Sequence, residues 1–160
     1  MIKKIILKSA TIFGLGEIPF MPGTWGTLVS IPFCYLLLQI NTFVYMTITL
    51  LLTLFGIFAA ELYEQQSSEH DSKKIIIDEF VGYLVTMVML PATWQSLGLG
   101  FLLFRFFDIL KPFPINYIDR KIPRGIGVMA DDLAAGIIAN LILQYLFLKT
   151  DILGSRLYAL

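Results

Sequence analysis

The chain has a single cysteine, Cys34, and a single histidine, His70. One cysteine excludes an intramolecular disulfide and any multi-cysteine metal site. A cysteine phosphatase needs its thiolate in a phosphate loop ending in arginine, and the surroundings of Cys34 supply neither feature. One histidine excludes the lipid phosphatases that work with two. No GxSxG surrounds a serine, no GxxxxGK[ST] phosphate loop occurs, and no DxDxT stretch is present. Charge is also scarce, at 15% of residues against about 25% in soluble domains. Twelve acids balance twelve bases, so no basic excess points to nucleic acid. What is abundant is apolar: 57% of the 160 residues. This balance excludes a disordered chain and points to a membrane protein. The length suits one domain spanning residues 1–160.

The charges cluster. None falls between Ile18 and Ala60, between Phe80 and Phe104, or between Leu133 and Leu148. Most lie in two windows, Glu61–Glu79 and Arg105–Asp132, that flank these runs. A spanning helix needs about 20 apolar residues. The first run suggests helices near Leu28–Ile40, short for a span, and Phe43–Ala60. The second suggests Glu79–Met89, stopped by Pro91, then Gln95–Leu110, stopped by Lys111-Pro112. The third suggests Asp132–Lys149. The expected fold is all-α, a multi-helix membrane-associated bundle with two to four spans. Lys3, Lys4 and Lys8 favour a cytoplasmic start, and hairpins would put both charged windows, and hence an active site, at the cytoplasmic membrane face. No long apolar core follows the lysines at once, so a cleaved signal peptide fits poorly. No internal repeat or low-complexity segment is present.

Three acidic sites adjoin apolar helices. Asp78-Glu79 stand at the mouth of one. Either acid could offset a helix dipole, but a cap needs only one, and a pair suggests a shared ligand. Arg105, Asp108 and Lys111 recur at threes and can share a helix face, as an intrahelical ion pair or as a site. Asp131-Asp132 follow a glycine-containing loop, Gly125-Ile126-Gly127, and either could be an N-cap. Gathered alone, Asp78, Glu79, Asp108, Asp131 and Asp132 would repel one another. A hard divalent cation would hold them. Oxygen ligands without cysteine point to magnesium rather than zinc. Arg105 and Lys111 could bind a phosphate beside that metal. Metal, carboxylates and cations together make the kit for phosphoryl transfer or phosphate hydrolysis.

Other segments read more plainly. Gly14-Leu15-Gly16 and Pro22-Gly23-Thr24-Trp25-Gly26-Thr27 precede an apolar helix, either as tight turns or as amides that bind an anion. His70 reads as a surface loop residue and Cys34 as packing. Phe104, Phe106 and Phe107 read as core or lipid contacts. Glu61, Glu64 and Glu69 read as a solvated helix end.

Four blocks in order resemble the phosphatidylglycerophosphatase A family. They are Gly14-Leu15-Gly16 through Thr27 with Ile31-Pro32; Asp71 and Ile77-Asp78-Glu79-Phe80-Val81-Gly82; Phe104-Arg105, Asp108 and Lys111-Pro112-Phe113-Pro114-Ile115; and Gly125, Gly127-Val128-Met129, Asp131-Asp132 and Ala135-Gly136. They cover roughly residues 10–145. The resemblance implies a magnesium-dependent phosphatase of the bacterial inner membrane, acting on a phospholipid in phospholipid synthesis. It implies Asp78, Glu79, Asp131 and Asp132 as metal ligands, one serving as base for water, with Asp108 a further metal or base candidate. Arg105 and Lys111 would hold the phosphate, with Gly23 and Thr24 on its other side. Asp71 matches without a role. Arg124 stands where a second glycine is expected, and Val128 replaces an isoleucine. Direct water attack is preferred over a phosphoaspartate, and one metal or two remain open. Two other classes compete: a carrier whose acids line a cation path, and a magnesium enzyme of the same fold with another phosphorylated substrate.

Overall fold

A computed structural model describes residues 2–67, 72–122 and 124–154. Glu69, His70 and Asp71 lie outside the described residues. Among those described there are seven α-helices and no strand: α1 (Ile2–Ala10), α2 (Pro22–Leu37), α3 (Thr42–Ser67), α4 (Ile77–Thr86), α5 (Trp94–Leu110), α6 (Ile115–Lys121) and α7 (Arg124–Lys149). The all-α expectation holds. α3 and α7 are long and apolar enough to cross a membrane. At 26 residues each they reach about 39 Å, against a hydrocarbon core of about 30 Å.

Local chemistry sets the helix ends. Pro22 opens α2 at its first position, where the missing N–H costs nothing. Thr93 caps α5, its side chain accepting from Ser96 N at 3.1 Å. Lys111 closes α5 in the left-handed region (φ 42°), and Pro112 cannot continue the helix.

Several expectations need correcting. α2 begins at Pro22, so Gly23–Thr27 is helix and not loop. α7 begins at Arg124, so Gly125–Gly127 is helix as well. Asp131 and Asp132 therefore sit well inside α7 and are not N-caps. The glycines serve close packing there: a methyl on Gly125 would lie 2.5 Å from Ile57 O. Glu61 and Glu64 are not a solvated end. Glu61 Oε2 accepts Gly125 N at 3.1 Å, and Glu64 is buried. α1 and α6 were not expected.

α4 is the central element. Its residues are apolar nearly all round, as a buried helix requires, and it packs chiefly on α7 and α2. Val81, Tyr83 and Leu84 are fully buried, and Tyr83 meets Phe104 edge to face at 6.5 Å. Cys34 is buried, with Sγ 3.4 Å from Tyr45 Oη. Outside, Leu50, Leu51, Leu54 and Phe58 of α3 and Ile137, Leu141, Tyr145 and Leu148 of α7 are exposed. Apolar stripes at helical spacing on the surface suit a lipid environment.

Candidate active site

Two glycines bring the acidic pairs together. A methyl on Gly136 would lie 2.5 Å from Gly82 O, and one on Gly82 would lie 3.0 Å from Asp132 O. α4 and α7 therefore touch backbone to backbone. The first turn of α4 (Asp78, Glu79) faces the turn of α7 that carries Asp132. Asp78, Glu79 and Asp132 each offer a carboxylate oxygen, and the three oxygens lie within 4.8 Å of one another.

These groups lack the partners that buried polar atoms normally find. Asp78 Oδ1, Glu79 Oε2, Asp131 Oδ1 and Asp132 Oδ2 are buried without a hydrogen bond. Burial pushes the Asp78 carboxyl well above the usual carboxylate range, and the charge of Glu79 adds to this. Glu79 is raised too, chiefly by burial, with relief from a hydrogen bond to Asp78 and from Arg105. Convergent, unsatisfied oxygen donors fit a hard divalent cation, which would neutralise this repulsion.

Cations border the acids. On α5, Arg105 pairs with Asp108, and its Nη1 lies 3.8 Å from Glu79 Oε1. Arg105 Nε is buried and unpartnered. Lys111 does not share this face, because the left-handed turn at the end of α5 redirects it. Its Nζ sits 2.7 Å from Asp119 Oδ1 and 2.5 Å from Asp131 Oδ2. Burial works against the Lys111 charge, but hydrogen bonds to Asp119 and Asp131 outweigh it and raise its pKa. Adjacent residues of α7 thus divide: Asp132 joins Asp78 and Glu79, while Asp131 turns to Lys111 and keeps Oδ1 free.

α2 covers the site. A methyl on Gly23 would strike the Glu79 carboxylate and lie 3.1 Å from Arg105 Nη1. The amides of Thr24 and Trp25 are spent on Met21 O, at 3.0 and 3.4 Å. They are not free for an anion. The Thr24 hydroxyl is, being buried and unpartnered. The Gly14–Gly16 turn lies elsewhere: a methyl on Gly16 would strike Lys74 O, and Ile76 N donates to Ala10 O at 3.0 Å. It braces the strand of chain that enters α4. Phe104 is core, while Phe106 is half exposed. Asp119 was missed by the sequence reading; its only signal was a place in the second charged window.

A bundle all-helical among the described residues, apolar on its surface, with buried carboxylates beside an unpaired guanidinium edge, is compatible with a phosphatase of lipid phosphoric monoesters. Comparison with known proteins agrees. The family model for phosphatidylglycerophosphatase A matches residues 8–147, and the chain belongs to that family. It is 37% identical over 135 residues to phosphatidylglycerophosphatase A of Escherichia coli (strain K12), covering 84% of this chain and 78% of that one. It is 39% identical over 132 residues to that of Haemophilus influenzae, covering 81% of each. It is 35% identical over 136 residues to a putative phosphatidylinositol-3-phosphatase of Bacteroides thetaiotaomicron, covering 79% and 84%. No solved structure matches.

Proposed function

We propose that this chain removes the terminal phosphate of phosphatidylglycerophosphate, releasing phosphatidylglycerol and phosphate, with magnesium as its metal. The observation that carries the reading is the set of buried, unpartnered oxygens on Asp78, Glu79 and Asp132, bordered by Arg105. Those three carboxylates would hold the metal, and Asp131, whose Oδ1 has no hydrogen-bond partner, would be a fourth ligand. Bound magnesium supplies a Lewis acid for the phosphoryl oxygen and lowers the pKa of water. Arg105 turns its free Nε to the phosphate while Asp108 holds the guanidinium in place. Thr24 Oγ1 donates from the α2 side. Lys111 neutralises Asp131 and offers its charge to the phosphate. Asp131 or Asp108 takes the proton of the attacking water; the preferred route is direct attack without a phosphoaspartate. Lys3, Lys4 and Lys8 support a site on the cytoplasmic face of a bacterial inner membrane.

The test is phosphate release by the purified protein in detergent. Phosphatidylglycerophosphate, phosphatidic acid, a phosphatidylinositol phosphate and a water-soluble phosphomonoester are each offered with magnesium and with EDTA. Release from the first alone, abolished by EDTA, is expected. Equal release from all four overturns the substrate. Release that survives EDTA overturns the metal. No release from a folded sample overturns the hydrolase and brings forward a cation path.

A further inference from the structure

The N-terminal quarter of the chain carries a surface that the hydrolytic site does not use. α1 bears Lys3, Lys4 and Lys8, all exposed, and no acid. Between residues 2 and 60 the one acid is Glu17. The turn after α1 packs on the chain at Lys74, through the close approach of Gly16 to Lys74 O, and Lys73 and Lys74 are also exposed. α1 and its turn thus carry three exposed lysines against one exposed acid, Glu17, and Lys73 and Lys74 adjoin that turn in the fold, in a chain whose net charge is zero.

Apolar side chains stand among them. Ile2 and Ile5 of α1 are exposed, and so are Phe13, Phe20 and Met21. Phe13 is 74% exposed although the backbone is held in the left-handed region at Ile12 (φ 43°), Phe13 (φ 56°) and Gly14 (φ 98°). β-branched and aromatic residues are rarely found in that region. The turn presents that aromatic ring outside the fold. Trp25 is also partly exposed, its Nε1 donating to Phe20 O at 3.1 Å. Lysines interleaved with exposed isoleucine and aromatic side chains match the headgroup layer of an anionic bilayer.

We propose that α1 and the turns through Met21 form an interfacial collar that binds an anionic lipid surface beside the entrance to α4. The proposal rests on the reading that the substrate is an anionic lipid. The collar would keep the Asp78–Glu79 end at headgroup depth and raise the local concentration of anionic lipid there.

Full-length wild type, K3Q/K4Q/K8Q and K73Q/K74Q are reconstituted in phosphatidylcholine vesicles with and without phosphatidylserine. In each background Phe13→Cys carries an environment-sensitive fluorophore; Cys34 is buried. The expected result is a blue shift of the probe in anionic vesicles, lost in high salt and in K3Q/K4Q/K8Q. In phosphatidylcholine vesicles the apparent KM for phosphatidylglycerophosphate should be several-fold lower in the wild type than in K3Q/K4Q/K8Q, and phosphatidylserine, which competes for the collar, should narrow that gap, with kcat within about twofold throughout. A probe that stays in water in both vesicles overturns the collar and makes a protein the occupant of this surface. An equal shift with and without the lysines overturns its anionic preference. An inserted probe with no phosphate release from any chain leaves the collar standing and removes the proposed reaction.

Discussion

The two ends of the helical bundle treat their polar groups in opposite ways. At the far end every named group is paired. Asn140 Nδ2 donates to Thr86 O at 2.8 Å and Val88 O at 2.9 Å, and Gln144 Nε2 donates to Val88 O at 3.0 Å. Tyr45 Oη donates to Leu84 O at 2.6 Å, and Tyr83 Oη donates to Leu97 O at 2.9 Å. The bonds to Leu84 O, Thr86 O and Val88 O close carbonyls left open where α4 ends, and the one to Leu97 O ties α4 to α5. At the other end of α4, Asp78 and Glu79 meet Asp132 with oxygens that nothing in the chain satisfies. One helix therefore has a satisfied end that contributes stability and an unsatisfied end that costs it. The unsatisfied end is where a ligand gains most from binding.

The sharpest way to break this contrast is to remove a carboxylate from the unsatisfied end. Asp132→Asn should lower phosphate release by at least about 10²-fold, the scale on which loss of one preorganised electrostatic group is felt. Circular dichroism should show the helical content unchanged. Near-normal turnover would mean that the carboxylates are not the site. The far end should respond the other way. Asn140→Leu strips Thr86 O of its side-chain donor, while Val88 O keeps Gln144, and should cost about 1–3 kcal/mol of stability, read by thermal unfolding, with kcat little changed. A large fall in kcat at unchanged stability would show that the two ends are not separable.

The smallest effect concerns pH. Burial raises the folded pKa of Asp78 and Glu79 above their unfolded values of about 4. The sign follows: stability is fully present below the unfolded pKa and is lost as pH rises towards and through the folded value. Metal-free protein should therefore melt higher at mildly acid pH than at neutral pH. Asp78→Asn should raise the melting point in EDTA at neutral pH by a few degrees, at roughly 2–4 °C per kcal/mol. Magnesium should stabilise the wild type and not this variant. A lower melting point for Asp78→Asn in EDTA would show that the pair stabilises the fold.

Much of this was legible in the sequence, and the misses share a cause. The acid pairs at Asp78-Glu79 and Asp131-Asp132 were visible because two charges in sequence exceed what a cap requires. The long helices were visible from the uncharged runs. Gly23 and Gly125 were misread as loop because local propensity treats glycine as a breaker. In the fold they are helical residues that let Glu79 and Ile57 approach. The split between Asp131 and Asp132 was hidden as well. It depends on Lys111 leaving the α5 face and on Asp119 arriving from α6, neither of which periodicity encodes.

The backbone contact between Gly82 and Gly136 has a consequence for how such an enzyme can change its substrate. The two helices that carry the acids are already as close as their atoms allow, and any larger side chain at either position would force them apart. The floor of the site is therefore closed to variation. α2 meets the same site through Gly23 and Thr24, and only its first turn is involved. Selection for a different head group is left with the elements that border the acids, the first turn of α2 and the end of α5 with Arg105 and Lys111, and a designer who wishes to widen or narrow the entrance should begin there.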